Sequence, residues 1–316
     1  MISAKNYAAQ AERDFLNYSK EISDKIRSNL YARFATAINS AVHFAMPDNG
    51  QIFDDQLKGL VGQDLHLPYK QITIEFATTD SYIGDAQSNS LMTVIPSTKS
   101  LILASEYEGE GLVNFRKAVT ERPYLEGFVK TGEYDWFYTT DRFIHVVSFT
   151  SGKNLHWSPN PLGVVINGYW TNDGGVRVTY LPTEGMVLQA AISNNLLEPI
   201  ALSAHTAVRE LLEFLEALTC KNVKESVHQS ERKNNAKWVK LGKLPMYETR
   251  ILTIDTAEKQ FTQTGSGENS GRTHSSPRQH LRRGHIRRLE SGNVWVNSCV
   301  VGSSANGVLD KTYKVK

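Results

Sequence analysis

The stretch Lys70–Thr78, "KQITIEFAT", decides the fold. Ile72, Ile74 and Phe76 alternate with polar neighbours, a period of two that lets a pleated strand bury one face. Upstream the period is different. No glycine or proline occurs from Ser3 to Met46, and Ile22, Ile26, Leu30, Phe34, Ile38 and Val42 recur every four residues. That row predicts one long helix within residues 1–48, stopped by Pro47 and "DNG". Its stripe packs on the chain's own core or, in the alternative, forms the seam of a homodimer. A short helix is predicted over Phe53–Val61.

Downstream of residue 78 the strand style continues. "SLMTVIPS", "SLILASEYE", "YDWFYTT", "RFIHVVSFTS", "PLGVVINGYW" and "VRVTYLP" are short, rich in β-branched and aromatic residues, and separated by Gly, Asn, Asp, Pro or Ser. "YTTDRF" and "WTNDGGVRV" read as hairpin turns. Close strands with short connections argue for an antiparallel sheet. From Gly185 to Cys220 the chain is long and apolar. Val208, Leu211, Leu212, Leu215 and Leu218 keep helical spacing, with Arg209, Glu210, Glu213 and Glu216 mostly on the other side, and Pro199 is expected to divide it into two helices. The polar run "KESVHQSERKNNAK" reads as a loop, and "YETRILTID" and "VLDKTYKVK" as strands.

The expectation is an α+β protein: a mainly antiparallel sheet packed by long helices, with a C-terminal β-hairpin. Residues 1–48 form the N-terminal helix. Residues 49–225 form the core, its sheet over about 70–182 and its helices over about 185–222. Residues 226–316 supply C-terminal strands, with a flexible loop over about 258–276 and a basic hairpin over 278–302. The loop composition, "EKQFTQTGSGENSGRTHSS", cannot bury much apolar surface.

Composition narrows function only a little. The 316 residues are 40% hydrophobic with a formal net charge of +2, which names no polyanionic partner. Cys220 and Cys299 make neither a disulfide framework nor a zinc knuckle. "MISAKNYAAQAERDF" lacks the pattern of a secretion signal, and no apolar run approaches about 18 residues, so a cytoplasmic protein without a membrane partner is expected.

Local charge says more. From Arg272 to Arg288 there are six arginines, three histidines and no acid. That segment carries +6 against a net of +2, so the remainder sums to about −4. "ESGN" closes a hairpin whose second limb is "VWVNSCVVG". If a strand follows Gly284, His285, Arg287 and Leu289 share one face and Ile286 and Arg288 the other, so charge lies on both faces. Guanidinium groups match phosphate bidentately. The segment therefore reads as a nucleic-acid-binding element built from Arg272, Arg278, His280, Arg282, Arg283, His285, Arg287 and Arg288. The rival reading is a solvated strand whose arginines pair with the acidic remainder. A sharper version is metal-independent ribonuclease chemistry, with His280 and His285 as acid and base and Arg283 or Arg287 on the transition-state charge.

No cofactor or metal is expected. His274, His280 and His285 match no zinc spacing, and their nearest acid is Glu290. Glu106, Glu108 and Glu110 in "EYEGEG" read as a solvated edge rather than a cation site. Ser203 and His205 lie two apart on a helix and do not face each other. "GSGENSG" lacks the strand–loop–helix context of a phosphate loop. His156 and Trp157 read as an aromatic turn packed on the sheet, or as a stacking pair for a ligand.

"HLRRGHIRRL", "VWVNSCVVG" and "LDKTYKV", preceded by "AVRELLEFLEALTCKNV" and "LPYKQITIEF", resemble a family of proteins encoded by phages and by many bacteria. Its members carry a "GHWRRQ"-like segment followed by a "VWI" strand. Here Ile286 stands where an aromatic residue is common, which removes one means of stacking on a base. The resemblance implies a phage-borne or mobile-element accessory protein in a bacterial cytoplasm, and assigns no activity or catalytic residue. Its setting adds an alternative function, inhibition of a host defence or transcription factor by protein–protein contact.

Overall fold

The computed structural model describes residues 5–50, 52, 65–78, 81–83, 93–95, 98–120, 135–152, 156–170, 176–183, 193, 197–228, 232–254, 278–282, 285–296, 299–301 and 303–308. Its helices are α1 (Tyr7–Glu21), α2 (Lys25–Ser40), α3 (Gly109–Thr120), α4 (Asp135–Thr139), α5 (Leu197–Leu218) and α6 (Arg232–Lys240). The first strands are β1 (Val42–Ala45), β2 (Gln71–Thr78), β3 (Ser81–Ile83), β4 (Thr93–Ile95), β5 (Thr98–Glu108) and β6 (Arg142–Ser151). β7 (Ser158–Pro159), β8 (Leu162–Trp170), β9 (Val176–Pro182), β10 (Val223–His228) and β11 (Thr249–Ile254) follow. The C-terminal strands are β12 (Arg278–Arg282), β13 (His285–Leu289), β14 (Gly292–Val296), β15 (Cys299–Val301) and β16 (Ser303–Val308).

A nine-stranded sheet runs β10-β11-β1-β2-β5-β6-β8-β9, with β7 added beside β6. Its pairings are antiparallel except that β1 lies parallel to both β2 and β11. The fold is therefore α+β with a mainly antiparallel sheet. Ile72, Ile74 and Phe76 of β2 do face one side together, with Ile102 and Ala104 of β5, Ile144 and Val146 of β6, and α5 as their cover. On the other side Leu101, Leu103, Val147 and Phe149 meet Phe15 of α1 and Phe34 and Ile38 of α2. Further along that side α3 and α4 cover Phe143, Val165 and Leu181. Each fully buried side chain of this size contributes about 1.5–3 kcal/mol, against about 0–1 for an exposed ion pair, so these layers carry the stability. No described helix is long and apolar enough to cross a membrane.

The predicted long N-terminal helix is two helices. Ile22 and Asp24 are extended, and the Asp24 carboxylate accepts from the N–H groups of Ile26 and Arg27, a cap that starts α2 afresh. The two helices fold back so that Phe15 stacks on Tyr31, centroids 5.7 Å apart, and meets Phe34 at 5.9 Å. The apolar row is thereby split: Phe34 and Ile38 are buried, Ile26 is 75% exposed, and Val42 has become strand. It does not form one continuous seam for a second copy.

Glu75 explains how α1 is held. It is a carboxylate on a strand, 2% exposed, and it accepts from the backbone N–H groups of Lys5, Asn6, Tyr7 and Ala8. These are the donors a helix start leaves unsatisfied. Asn6, in the left-handed region at φ 58°, gives no side-chain cap, so the strand supplies one.

Other expectations change as well. "YDWFYTT" is not a strand and "YTTDRF" is not a hairpin turn. Residues 135–139 form α4; its Phe137 carbonyl and the Thr140 carbonyl just past its end accept from the Arg116 guanidinium of α3. Pro199 lies in the first turn of α5, where a missing N–H costs nothing; of residues 184–196, only Ser193 is among the described residues. "KESVHQSERKNNAK" is no loop but β10 and the start of α6, stabilised by pairing with β11 and by Asn235, which exchanges two hydrogen bonds with Met246. Glu213 and Glu216 are 2% exposed rather than solvated. Glu213 accepts from the Ile52 N–H at 2.9 Å, because the segment after β1 lies across that side of α5. The predicted Phe53–Val61 helix, the 258–276 loop, and all of the "VLDKTYKVK" strand but Val308 lie outside the described residues.

Candidate functional site

The basic segment folds as a hairpin. β12 pairs antiparallel with β15, His280 opposite Val301 and Arg282 opposite Cys299. β13 pairs antiparallel with β14, from His285 opposite Val296 to Leu289 opposite Gly292. The ladders β12–β15 and β13–β14 keep one register about the turn at Glu290–Ser291, as the two arms of the predicted hairpin require. β12 also pairs parallel with β16, with a register shift between Arg278 and Gln279. Strand pairing thus reaches back to Arg278.

Among the described residues the hairpin strands pair in ladders separate from the nine-stranded sheet. The hairpin docks on the turn that follows α5. The Asn222 amide donates to the Trp295 carbonyl and accepts from its N–H, both at 2.8 Å, imitating a ladder partner. The Lys221 N–H donates to the Asn293 carbonyl at 3.0 Å, and the Asn293 amide donates to the Thr219 hydroxyl at 3.0 Å. Each such bond is worth about 0.5–1.5 kcal/mol net. Gly292, at φ 118°, makes the approach feasible: a Cβ there would lie 2.6 Å from Lys221 Cε. The dock lies at the C-terminal end of α5, where the helix dipole favours cations.

The predicted contact residues are distributed as follows. Arg278, His280 and Arg282 are on β12, and His285, Arg287 and Arg288 on β13. The Arg287 side chain is exposed. Arg272, Arg283 and His274 lie outside the described residues. His280 and His285, the candidate acid and base, stand opposite Val301 and Val296, five rungs apart on the returning arm. Among the described residues no group of three His, Cys, Asp or Glu could hold a metal. Glu106 is committed elsewhere: it meets His66 Nδ1 at 2.8 Å, the Leu67 N–H at 3.0 Å and Arg142 Nε at 3.2 Å. Trp157 is 2% exposed and packs 5.8 Å from Tyr7, so that turn is packed on the core. Cys220 is buried, and burial pushes its thiol up to about 11, far from nucleophilic use.

Part of the positive surface escaped the sequence reading. From Lys221 to Lys243 there are seven Lys or Arg and two acids. Lys221, Lys224, Lys237, Lys240 and Lys243 are all exposed, and Lys224 sits on β10, the edge strand of the large sheet. One of the two acids, Glu225, is occupied by the Arg250 guanidinium at 2.7 Å. The hidden signal was the alternation in "VKESVH" followed by basic residues at 233, 237 and 240, one helical turn apart.

No protein-family model matches the chain, and neither a curated protein nor a solved structure matches it.

Proposed function

We propose that this protein binds nucleic acid through a composite basic surface made by the C-terminal hairpin and the Lys221–Lys224 segment beside it. The observation that carries the reading is the docking of the hairpin on Thr219–Asn222. That docking holds β14, the ladder partner of β13, against the segment that carries the exposed Lys221 and Lys224, which supports a joint basic surface. The arginines suit bidentate phosphate contacts and the lysines act as point charges, so affinity is expected with little sequence readout. The phage-like motif supplies the setting: a mobile-element accessory protein in a bacterial cytoplasm.

The test is a binding titration with single- and double-stranded RNA and DNA at low salt. Replacing Arg282, Arg283, Arg287 and Arg288 by Ala weakens binding to every sequence alike, and replacing Lys221 and Lys224 weakens it further. Absence of binding to all four substrates at low salt contradicts the reading. So does unchanged affinity in the arginine variant. Capture of a nuclease-resistant protein partner in place of nucleic acid would favour host-factor inhibition instead.

A further inference from the structure

A second site lies on the other face of the sheet from α5. Between α2 and α3 is a cleft of about 190 Å³, floored by β5 and β6. At about 30 Å³ per water it has room for about six waters, the scale of a small organic molecule. Its walls are apolar: Leu30, Phe34, Leu103, Phe115 and Leu181. Tyr107 and Phe115 pack with centroids 4.6 Å apart, and Phe115 meets His145 at 5.0 Å. A wider depression of about 520 Å³ shares Gln71, Ser105 and Tyr107 with the cleft.

The polar groups are directional. Ser40 Oγ donates to Gln71 Oε1 at 2.9 Å, and Gln71 Nε2 donates to Ser105 Oγ at 2.7 Å. Tyr107, two residues on along the same face of β5, interacts with the Ser105 hydroxyl, and burial raises its phenol above the ordinary value, so the phenol stays protonated and can donate. The chain therefore ends on the Tyr107 O–H, a donor at the cleft wall that calls for an acceptor. Arg33 at the same cleft is exposed and has no ion-pair partner among the described residues. His145 is held over Gly163, where a Cβ would come within 2.7 Å of its Nε2, so the glycine keeps the imidazole against the sheet and the cleft open.

We infer that this cleft binds a small monocarboxylate with an apolar body, its carboxylate accepting from Tyr107 and paired with Arg33. An apolar enclosure with a few convergent polar groups is the usual form of a small-ligand site. A carboxylate is the acceptor that uses both the hydroxyl donor and the guanidinium. The site is independent of the basic hairpin.

The test is ligand-observed NMR on the full chain with benzoate, phenylacetate and isovalerate, and with phenylacetamide as the uncharged comparison. At least one carboxylate binds, and phenylacetate binds more tightly than its amide. Arg33→Ala, at an exposed position that leaves the fold intact, weakens binding about tenfold, and Tyr107→Phe does so by a similar factor. The variant lacking the four hairpin arginines keeps wild-type affinity for the carboxylate. If none of the three carboxylates binds, the inference is overturned. Binding that is indifferent to both Arg33→Ala and Tyr107→Phe overturns it too.

Discussion

Replacing Glu210 by Gln should stabilise this protein at alkaline pH and leave it unchanged in acid. Glu210 lies on α5 against Gly50, whose φ of 65° brings the backbone so close that a Cβ there would be 2.9 Å from the Glu210 carboxyl carbon. Burial pushes the carboxyl up from an ordinary 4.5 to about 8, and the neighbouring Glu213 adds to the shift. A folded-state value above the unfolded one gives stability that is complete below about pH 4.5 and is lost as pH rises toward 8. At about 1.4 kcal/mol per pH unit the full loss has a ceiling of about 5 kcal/mol. Relaxation and water entry lower that figure, so about 2–3 kcal/mol is the expected size. The amide of Gln cannot ionise and escapes the loss. Urea unfolding at pH 5, 6, 7, 8 and 9 gives both curves. The gap between variant and wild type should open steadily from near zero at pH 5 to its maximum by pH 9. Parallel curves, or a variant less stable at pH 9, would refute the placement of Glu210.

Other outcomes follow from the same packing. Glu75→Ala strips four N–H groups of their acceptor and should cost about 2–4 kcal/mol, read as a lowered denaturation midpoint with α1 fraying first in hydrogen exchange. His43, buried against Thr73 and stacked 4.6 Å from Tyr247, is pushed down to about 4 by burial. Its imidazole should stay neutral in an NMR titration until about pH 4, and its contribution to stability, present above about pH 6.5, should be lost as pH falls from there to about 4. Gly163→Ala drives a methyl against the His145 ring and Thr183, for a loss of about 1–3 kcal/mol by thermal denaturation. Asn222→Ala deletes both bonds to Trp295, so limited proteolysis should cut the hairpin faster while the core helices keep their far-UV signal.

Strands such as β2, β5, β6 and β8 were legible because their β-branched and aromatic residues bury in a fixed alternation. The basic hairpin was legible for the same reason: "ESGN" sets the turn, and the register follows from it. The break at residues 22–24 was not. Asp24 looks like any surface residue of a helix until its carboxylate is seen capping the next one. β10 and α6 were hidden by polarity, since neither buries a large apolar face and both depend on partners distant in the chain. The docking of the hairpin was illegible on distance alone: Asn222 and Trp295 are 73 residues apart, and an amide bonding a backbone leaves no pattern. The donor chain ending at Tyr107 was likewise assembled from three elements, α2, β2 and β5, that only the sheet brings together.

The central claim is that the hairpin and the adjoining lysines meet phosphates, and the salt dependence of binding tests it most directly. Fluorescence anisotropy with a labelled mixed-sequence oligonucleotide, titrated across a range of salt, gives the slope of log affinity against log salt. Each phosphate neutralised contributes about −0.9 for duplex DNA and about −0.7 for a single strand. The account predicts a steep negative slope for the wild type. Changing Arg282, Arg283, Arg287 and Arg288 to Ala should make it shallower by about three units. A wild-type slope near zero, or one that the four substitutions leave unchanged, would contradict it.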